Sequence, residues 1–367
     1  MGKLRPASRR GLSQSRVSTS HSTVATVRPH SVSSDRKLCR ICLTPTRNES
    51  WIIKRFLAAA RLWADHIVVA DQGSTDGTFQ ELLRTPGVHA VVNASPVFDE
   101  PHRQRLLIEN ARRIADKRLL IALDADEALS SNCLQSKEWE QISQAEPGTV
   151  LRFRWVNVLP GFENAWIPSE PLLCGLVDDG TEHTGRPIHN PRVPSRPGAP
   201  VIDLQEIVVL HFQYVVPSRM RSKHRWYQAW EHLNSPSKRP LDIFRQYHHM
   251  HGGWDENEIQ PVKREWFAGY ESVGLDFSAL ASEPVTWWDK EVVQMLCQHG
   301  PARFCKLAIW DQDWNALRAH VSTSDIAITD PRSLWEKTVH RILSATQTNR
   351  SNWGVRGFEK LLRVIGW

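Results

Sequence analysis

The stretch Leu119-Leu120-Ile121-Ala122-Leu123-Asp124-Ala125-Asp126-Glu127 decides the reading of this chain. An apolar run long enough for a buried strand ends in three carboxylates, two of which, Asp124 and Asp126, are one residue apart. Burying a bare carboxylate is costly unless something positive neutralises it. Acids crowded at the carboxyl end of a buried strand therefore point to a divalent cation. Mg2+ and Mn2+ take such oxygen ligands, usually one or two carboxylates completed by the phosphates of a substrate. The plainer alternative is an Asp-x-Asp on a solvated loop.

Working outward, Leu38 to Leu43 is a short apolar strand, interrupted by Arg40, that opens into Thr44-Pro45-Thr46-Arg47-Asn48-Glu49. Helical spacing follows, with Trp51, Ile52, Phe56, Leu57 and Leu62 able to share a face. Ile67-Val68-Val69-Ala70 leads into Asp71-Gln72-Gly73-Ser74-Thr75-Asp76-Gly77-Thr78 and another helix start. Val88 to Val92 reads as a third strand, and Ile114 to Leu123 brings the chain to the acidic turn. Strands alternating with helices predict an α/β fold, a mostly parallel sheet with helices on both faces. Ligands of such sheets bind beyond the carboxyl ends of the strands. The three polar segments meet at that edge and form one site.

Pro-x-x-Asn-Glu after the first strand, Val-Val-x-Asp-x-Gly-Ser-Thr-Asp-Gly-Thr after the second and Leu-Asp-Ala-Asp-Glu after the fourth resemble family 2 glycosyltransferases, whose nucleotide-sugar-binding domain is the Rossmann-like GT-A fold. The resemblance is close over about residues 38 to 130 and loose to about 230; Gln72 stands where an acid is usual. It implies that Pro45, Arg47 and Glu49 line a nucleotide pocket and that Asp71 contacts the base or ribose. It further implies that Asp124 and Asp126 hold a metal on the diphosphate of a nucleoside diphosphate sugar. In this family a late histidine often completes the metal shell and nearby basic residues meet the phosphates. His211, at the end of the apolar run Ile207 to Leu210, and Lys223 match that arrangement, with His189 a rival for the metal.

Across 367 residues, 41% hydrophobic, the net charge is +6. Residues 1–37 carry eight Lys or Arg against Asp35, a net of +7, so 38–367 sum to −1 by subtraction. The body has no general polyanion-binding excess, which weakens a nucleic-acid reading. The Ser- and Arg-rich tail is predicted to be disordered, and it lacks the continuous apolar core of a secretory signal. Pro6 spoils the myristoylation pattern after Met1-Gly2. No apolar run approaches the ~18 residues that span a bilayer. A soluble, cytoplasmic enzyme is expected, with peripheral membrane association as an alternative. Six scattered cysteines, Cys39-x-x-Cys42 among them, read as reduced, buried thiols rather than a zinc site or redox pair.

Val150 to Val158 alternates apolar and polar residues and predicts one half-exposed strand. Pro160 to Pro200, rich in Pro and Gly, reads as a solvated loop, or as an acceptor-binding lid over the active site. Its acids Glu170, Asp178, Asp179 and Glu182 are the candidates for a catalytic base, with no decisive choice among them. From about 236 to 367 the chain is Trp-rich and helical in spacing, after a transferase domain expected at 38–235. Trp287-Trp288-Asp289 and Trp310-Asp311-x-Asp313-Trp314 are the segments to inspect for acceptor contact. Arg356 to Trp367 is amphipathic; it packs on the body or lies on a membrane surface.

The leading expectation is a metal-dependent, inverting transfer of a sugar from a nucleoside diphosphate to a glycan, lipid-linked or protein acceptor. A nucleotidyltransferase would carry a Gly-rich basic loop after its first strand, and Thr44 to Glu49 has no glycine. A non-catalytic sugar-nucleotide-binding protein would lose the metal ligands, and both aspartates are present.

Overall fold

Ile41-Cys42-Leu43, Ile67 to Ala70 and Leu119 to Ala122 are apolar at every position rather than every second one, and all are buried. Strands of that pattern need cover on both faces. The computed structural model describes residues 38–95, 97–185, 191–248, 258–280, 283–321 and 327–367. The basic tail at 1–37 and His189 lie outside them.

In chain order the first elements are β1 (Cys39–Thr46), α1 (Ile53–Ala60), β2 (His66–Asp71), α2 (Thr78–Arg84), β3 (Val88–Val92), α3 (Glu100–Arg112) and β4 (Arg118–Ala122). Next come β5 (Glu127–Leu129), α4 (Glu138–Ser143), β6 (Val150–Phe153), β7 (Trp155–Val158), β8 (Asn164–Trp166), β9 (Leu172–Val177), β10 (Val201–Asp203) and β11 (Val209–His211). The remainder is α5 (Pro217–Asn234), α6 (Pro240–His248), β12 (Ile259–Pro261), α7 (Ala268–Glu271), α8 (Trp287–His299), α9 (Trp314–Arg318), α10 (Leu334–Ala345) and α11 (Trp353–Val364).

The main sheet runs β10-β6-β9-β4-β1-β2-β3, with β4, β1, β2 and β3 mutually parallel. Alternate side chains face opposite layers. Cys42, Ile67, Val69, Leu119 and Ile121 pack with Phe56 and Leu57 of α1, Leu82 of α2 and Ile142 of α4. Ile41, Leu43, Val68, Ala70, Leu120 and Ala122 pack with Leu107, Ile108 and Ala111 of α3. This is a Rossmann-like, mostly parallel α/β sheet. The chain leaves β1 towards β2 and β3, then returns to β4 on the other side of β1. That reversal opens a crevice beyond the carboxyl ends of β1 and β4, where Pro45 to Glu49 and Asp124 to Glu127 emerge.

A second sheet, β12-β8-β7-β11-β5, begins directly after the acidic turn. β5 is antiparallel to β11 with Glu127 opposite His211, and Phe212 N donates to the Asp126 carbonyl at 2.8 Å. That register carries His211 to the acidic turn.

Two expectations are corrected. Val150 to Val158 is not one strand: it breaks at Arg154, leaving β6 in the main sheet and β7 in the second. Residues 160–200 are not wholly loop, because β8 and β9 lie within them. β9 inserts antiparallel between β4 and β6, and Gly175 lies opposite Leu151 so closely that an added Cβ would meet the Leu151 side chain at 2.7 Å. Only glycine fits there without a shift.

The C-terminal part is helical. Trp226 and Ala229 of α5 pack with Ile243 of α6, Val292, Val293 and Leu296 of α8 and Trp314 of α9. Leu241 and Phe244, on another face of α6, meet Val339 and Leu343 of α10 and Leu362 of α11.

Because β9 runs against β4, its end returns to the amino edge of the sheet. There the fully buried Asp178 carboxylate accepts from Arg112 of α3 at 2.8 Å and Arg118 of β4 at 2.8 Å. Burial works against this carboxylate, but the two guanidiniums outweigh it and hold the Asp178 pKa below its ordinary value. A depressed folded-state pKa gives stability that is present above the unfolded value, about 3.9, and is lost as pH falls through the folded one. Asp178→Ala is expected to cost about 3 kcal/mol at neutral pH, the low end for breaking a buried pair. It should also flatten the fall in stability below about pH 4. Urea melts across pH test both, and an unchanged acid limb would refute the assignment.

Candidate functional site

The loops after β1 and β2 are knitted together by side chains. Asn48, in the left-handed region at φ 55°, accepts from Thr75 N through Oδ1 at 2.7 Å. The backbone N–H groups of Asn48, Glu49 and Ser50 donate to Ser74 Oγ, Thr78 Oγ1 and Asp76 Oδ2 at 2.8, 2.8 and 2.9 Å. Asp71 belongs to this lacing. Its buried carboxylate accepts from Ser74 N (3.0 Å), Ser74 Oγ (2.5 Å) and Thr46 Oγ1 (3.0 Å), so both oxygens are occupied by the turn.

Beyond the loops lies a cleft of about 660 Å³ lined by Pro45, Arg47, Glu49, Asp124, Asp126 and Lys223. Six sequence-predicted residues from three separated segments are thus brought together. Thr46, Gln72, Phe98, Glu100, Arg103, Trp226, Tyr227, Trp287 and Trp288 complete the walls. Asp71 is not in the lining; its neighbour Gln72 is. A second cleft of about 880 Å³ shares Glu100, Arg103, Asp124, Lys223 and Tyr227 with the first and adds Trp155, Arg192, His211, Tyr214 and Tyr247.

The cations of the site are aimed by helical spacing. Arg219, Lys223 and Tyr227 recur every four residues of α5 and so share one face. Arg219 is sandwiched between Trp51 and Trp288, 4.6 Å from each ring, and donates to Glu49 at 2.8 Å. Burial pushes the Glu49 carboxyl up to about 7 in spite of Arg219. Arg47 lies 4.1 Å over Trp287 and is held by Glu291 of α8 at 2.5 Å. Glu291 also accepts from Trp226 Nε1 at 2.6 Å, so one carboxylate sets two walls of the cleft.

The acidic turn is held from beneath. Glu127 is buried and accepts from Asp124 N (3.0 Å), Trp155 Nε1 (2.9 Å) and the Arg192 guanidinium. Arg192 also donates to Asp124 at 3.0 Å. Asp126 Oδ2 lies 3.7 Å from Lys223 Nζ and 3.7 Å from His211 Nε2. Burial alone would raise the Asp126 carboxyl, but Lys223 and His211 outweigh it and keep it well below the ordinary carboxylate range.

His211 is fixed by Asn157. The Asn157 amide nitrogen donates to the carbonyls of Trp155 and Trp166 at 3.4 and 3.2 Å, so its oxygen accepts from His211 Nδ1 at 2.7 Å. This turns His211 Nε2 towards the Asp126 carboxylate, 3.7 Å away. A second-sphere carbonyl fixing the tautomer is usual for metal-binding histidines. Among the described residues no group of three or more His, Cys, Asp or Glu is placed to hold a metal. Two protein donors beside substrate phosphates nonetheless suit Mg2+ or Mn2+.

The structure does not bring the four expected base candidates to the clefts. Asp178 is closed within its arginine pair, and Asp179 is paired with Arg196. Both follow β9 to the amino edge of the main sheet, opposite the cleft. Glu182 and Glu170 are exposed and line neither cleft. Trp310 and Trp314 are core residues, Asp311 pairs with Arg225 and Asp313 caps α9, so that segment does not reach the cleft either. Glu100, Arg103, Arg192 and Glu291 were missed. A signal existed for the first two: Asp99-Glu100-Pro101 reads as an N-cap with proline in the first turn, and Asp99 does cap α3 by accepting from His102 N at 3.0 Å.

No family model and no curated protein sequence matches this chain. Among solved structures, S. aureus TarS 1–349 is similar at 14% identity and TM-score 0.33, over 86% of this chain and 92% of that one. The CTP:phosphocholine cytidylyltransferase LicC of Streptococcus pneumoniae is 15% identical at TM-score 0.22, over 39% and 68%. The inositol-1-phosphate CTP transferase of T. maritima is 10% identical at TM-score 0.28, over 50% and 93%.

Because both Asp71 oxygens serve the turn, Asp71→Ala is expected to cost about 1–3 kcal/mol of stability, the usual penalty for leaving buried donors unpaired. Thermal melts and calorimetry with nucleoside diphosphates test this together. A stable variant with a selective loss of nucleotide affinity would return Asp71 to the pocket.

Proposed function

We propose that this chain is a glycosyltransferase of the family 2 type that moves a sugar from a nucleoside diphosphate to an acceptor, with a divalent cation, Mn2+ or Mg2+, as cofactor. The observation that carries the reading is the cleft at the β1/β4 reversal, where Asp124 and Asp126 face Arg47, Arg103 and Lys223 between aromatic walls. Carboxylates and cations on one wall suit a ligand that carries both signs. When bound, the cation would be held by Asp126 and His211 beside Asp124, and would supply charge neutralisation on the departing diphosphate.

Lys223 and Arg103 meet the phosphate oxygens in this reading and stabilise charge as it develops there. Trp226 and Trp287 offer flat faces for the base or sugar. The acceptor enters by the second cleft. Glu100, which lines both clefts, takes the acceptor hydroxyl proton. The acceptor oxygen bonds to the anomeric carbon as the carbon–phosphate oxygen bond breaks, and the diphosphate leaves with that electron pair. The anomeric configuration inverts.

A manganese-supplemented screen of UDP-, GDP- and dTDP-sugars for slow hydrolysis should identify one donor. Asp126→Asn should abolish turnover while leaving the fold intact, and full activity of a folded variant would remove the metal role. With the donor known, Glu100→Gln should lower kcat by about 10²–10⁴ with little change in donor KM. An equal loss in both would make Glu100 a binding residue instead.

A further inference from the structure

Helix α11 turns two of its polar side chains towards the protein: Glu359 accepts from Arg245 at 2.8 Å, and Arg363 donates to Asp242 at 3.1 Å. Leu362 and Trp367 are buried beside them, while Trp353, Leu361 and Val364 stand 88%, 54% and 84% exposed. A helix resting on a water-facing surface shows the opposite arrangement. Neighbouring α10 repeats the pattern, burying Val339 and Leu343 while Leu334, Trp335 and Ile342 face outward. Among the described residues, seven of the thirteen exposed large apolar side chains fall between Leu334 and Ile365.

The charge of this segment is predominantly positive. Residues 333–367 hold six Lys or Arg (Lys337, Arg341, Arg350, Arg356, Lys360, Arg363) and two acids (Glu336, Glu359), a net of +4. Residues 38–332 therefore sum to −5, given −1 for 38–367. Both acids are engaged, Glu336 at the Ser333 cap and Glu359 with Arg245, whereas Arg341, Arg350, Arg356 and Lys360 are exposed.

We propose that the outward face of α10 and α11 docks on an anionic lipid bilayer, with Trp353, Leu361, Val364 and Ile365 entering the headgroup–acyl boundary and Arg356 and Lys360 meeting lipid phosphates. Exposed tryptophan together with leucine and valine, beside a net positive charge, is the composition of helices that lie in that interface. Two such surfaces from two copies of this chain would bring their cations together, which disfavours self-association.

The test is flotation of the full chain with phosphatidylcholine vesicles and with mixed phosphatidylcholine–phosphatidylglycerol vesicles. Binding to the mixed vesicles and little to the neutral ones is expected. Leu361→Ser with Val364→Ser leaves every charge in place, including those of residues 1–37, and should weaken binding about tenfold or more. Arg356→Glu with Lys360→Glu should weaken it comparably at low salt, and the difference from native should shrink at high salt. All four positions are exposed, so unchanged thermal melts are expected; if one pair fails to fold, the other decides. Undiminished binding by a folded variant, equal binding to neutral vesicles, or a lipid-free dimer that the Leu361→Ser, Val364→Ser variant converts to monomer would each overturn the proposal.

Discussion

Everything at the working end of this molecule depends on neutralising the carboxylates after β4. Asp124, Asp126 and Glu127 emerge together, and Glu49 joins them from the end of β1. Unpaired, such a group would repel itself out of a low-dielectric site. The fold answers with three cations from two distant places: Arg192 after β9, and Arg219 and Lys223 from α5. Each also has a structural task. Arg192 ties the acidic turn to Glu127, Arg219 fills the gap between two tryptophans, and Lys223 stands in the wall common to both clefts. The position of α5, and of the helices packed on it, is therefore coupled to the charge balance at the sheet edge.

The aromatic residues of the C-terminal part serve two ends. Trp226 belongs to the helical core and also lines the first cleft, and Trp288 does the same while flanking Arg219. Planar guanidinium groups stack on such rings at little desolvation cost. Helical packing and cleft geometry thus share side chains, so a change in the packing of α8 against α5 would move Arg47 and Arg219 as well.

The central sheet was legible because Ile41 to Leu43, Ile67 to Ala70 and Leu119 to Ala122 are apolar at every position, a pattern that only two-sided cover explains. The cleft residues Pro45, Arg47, Glu49, Asp124 and Asp126 were legible for the same reason: strands in sequence order leave their following loops at one edge. What failed was the segment after β7. Leu172 to Val177 is as apolar as β4, but it is flanked by Pro171 and by polar residues from Asp178 onward, which favour a long loop on sequence alone. Its antiparallel insertion sends Asp178 to the far edge, which is why an acid that looks catalytic in sequence is a structural clamp in space. Arg192 and Glu291 left no local trace, since each acts on a residue at least 65 positions away. Tertiary charge pairing has no period for a sequence to show.

The paired state of the site also bears on what it admits. An anion arriving alone must draw Lys223 from Asp126, or Arg192 from Asp124, and leave a buried or half-buried carboxylate without its partner. Breaking such a pair costs more than forming it returns, because the abandoned charge keeps its desolvation penalty. In the proposed reading, an anion arriving with its own cation would exchange partners instead: Lys223 would turn to the phosphate, Asp126 and His211 would hold the cation, and no charge would be stranded. In the proposed reading, the approach of His211 Nε2 to Asp126 across 3.7 Å would favour a metal-complexed diphosphate over a free one.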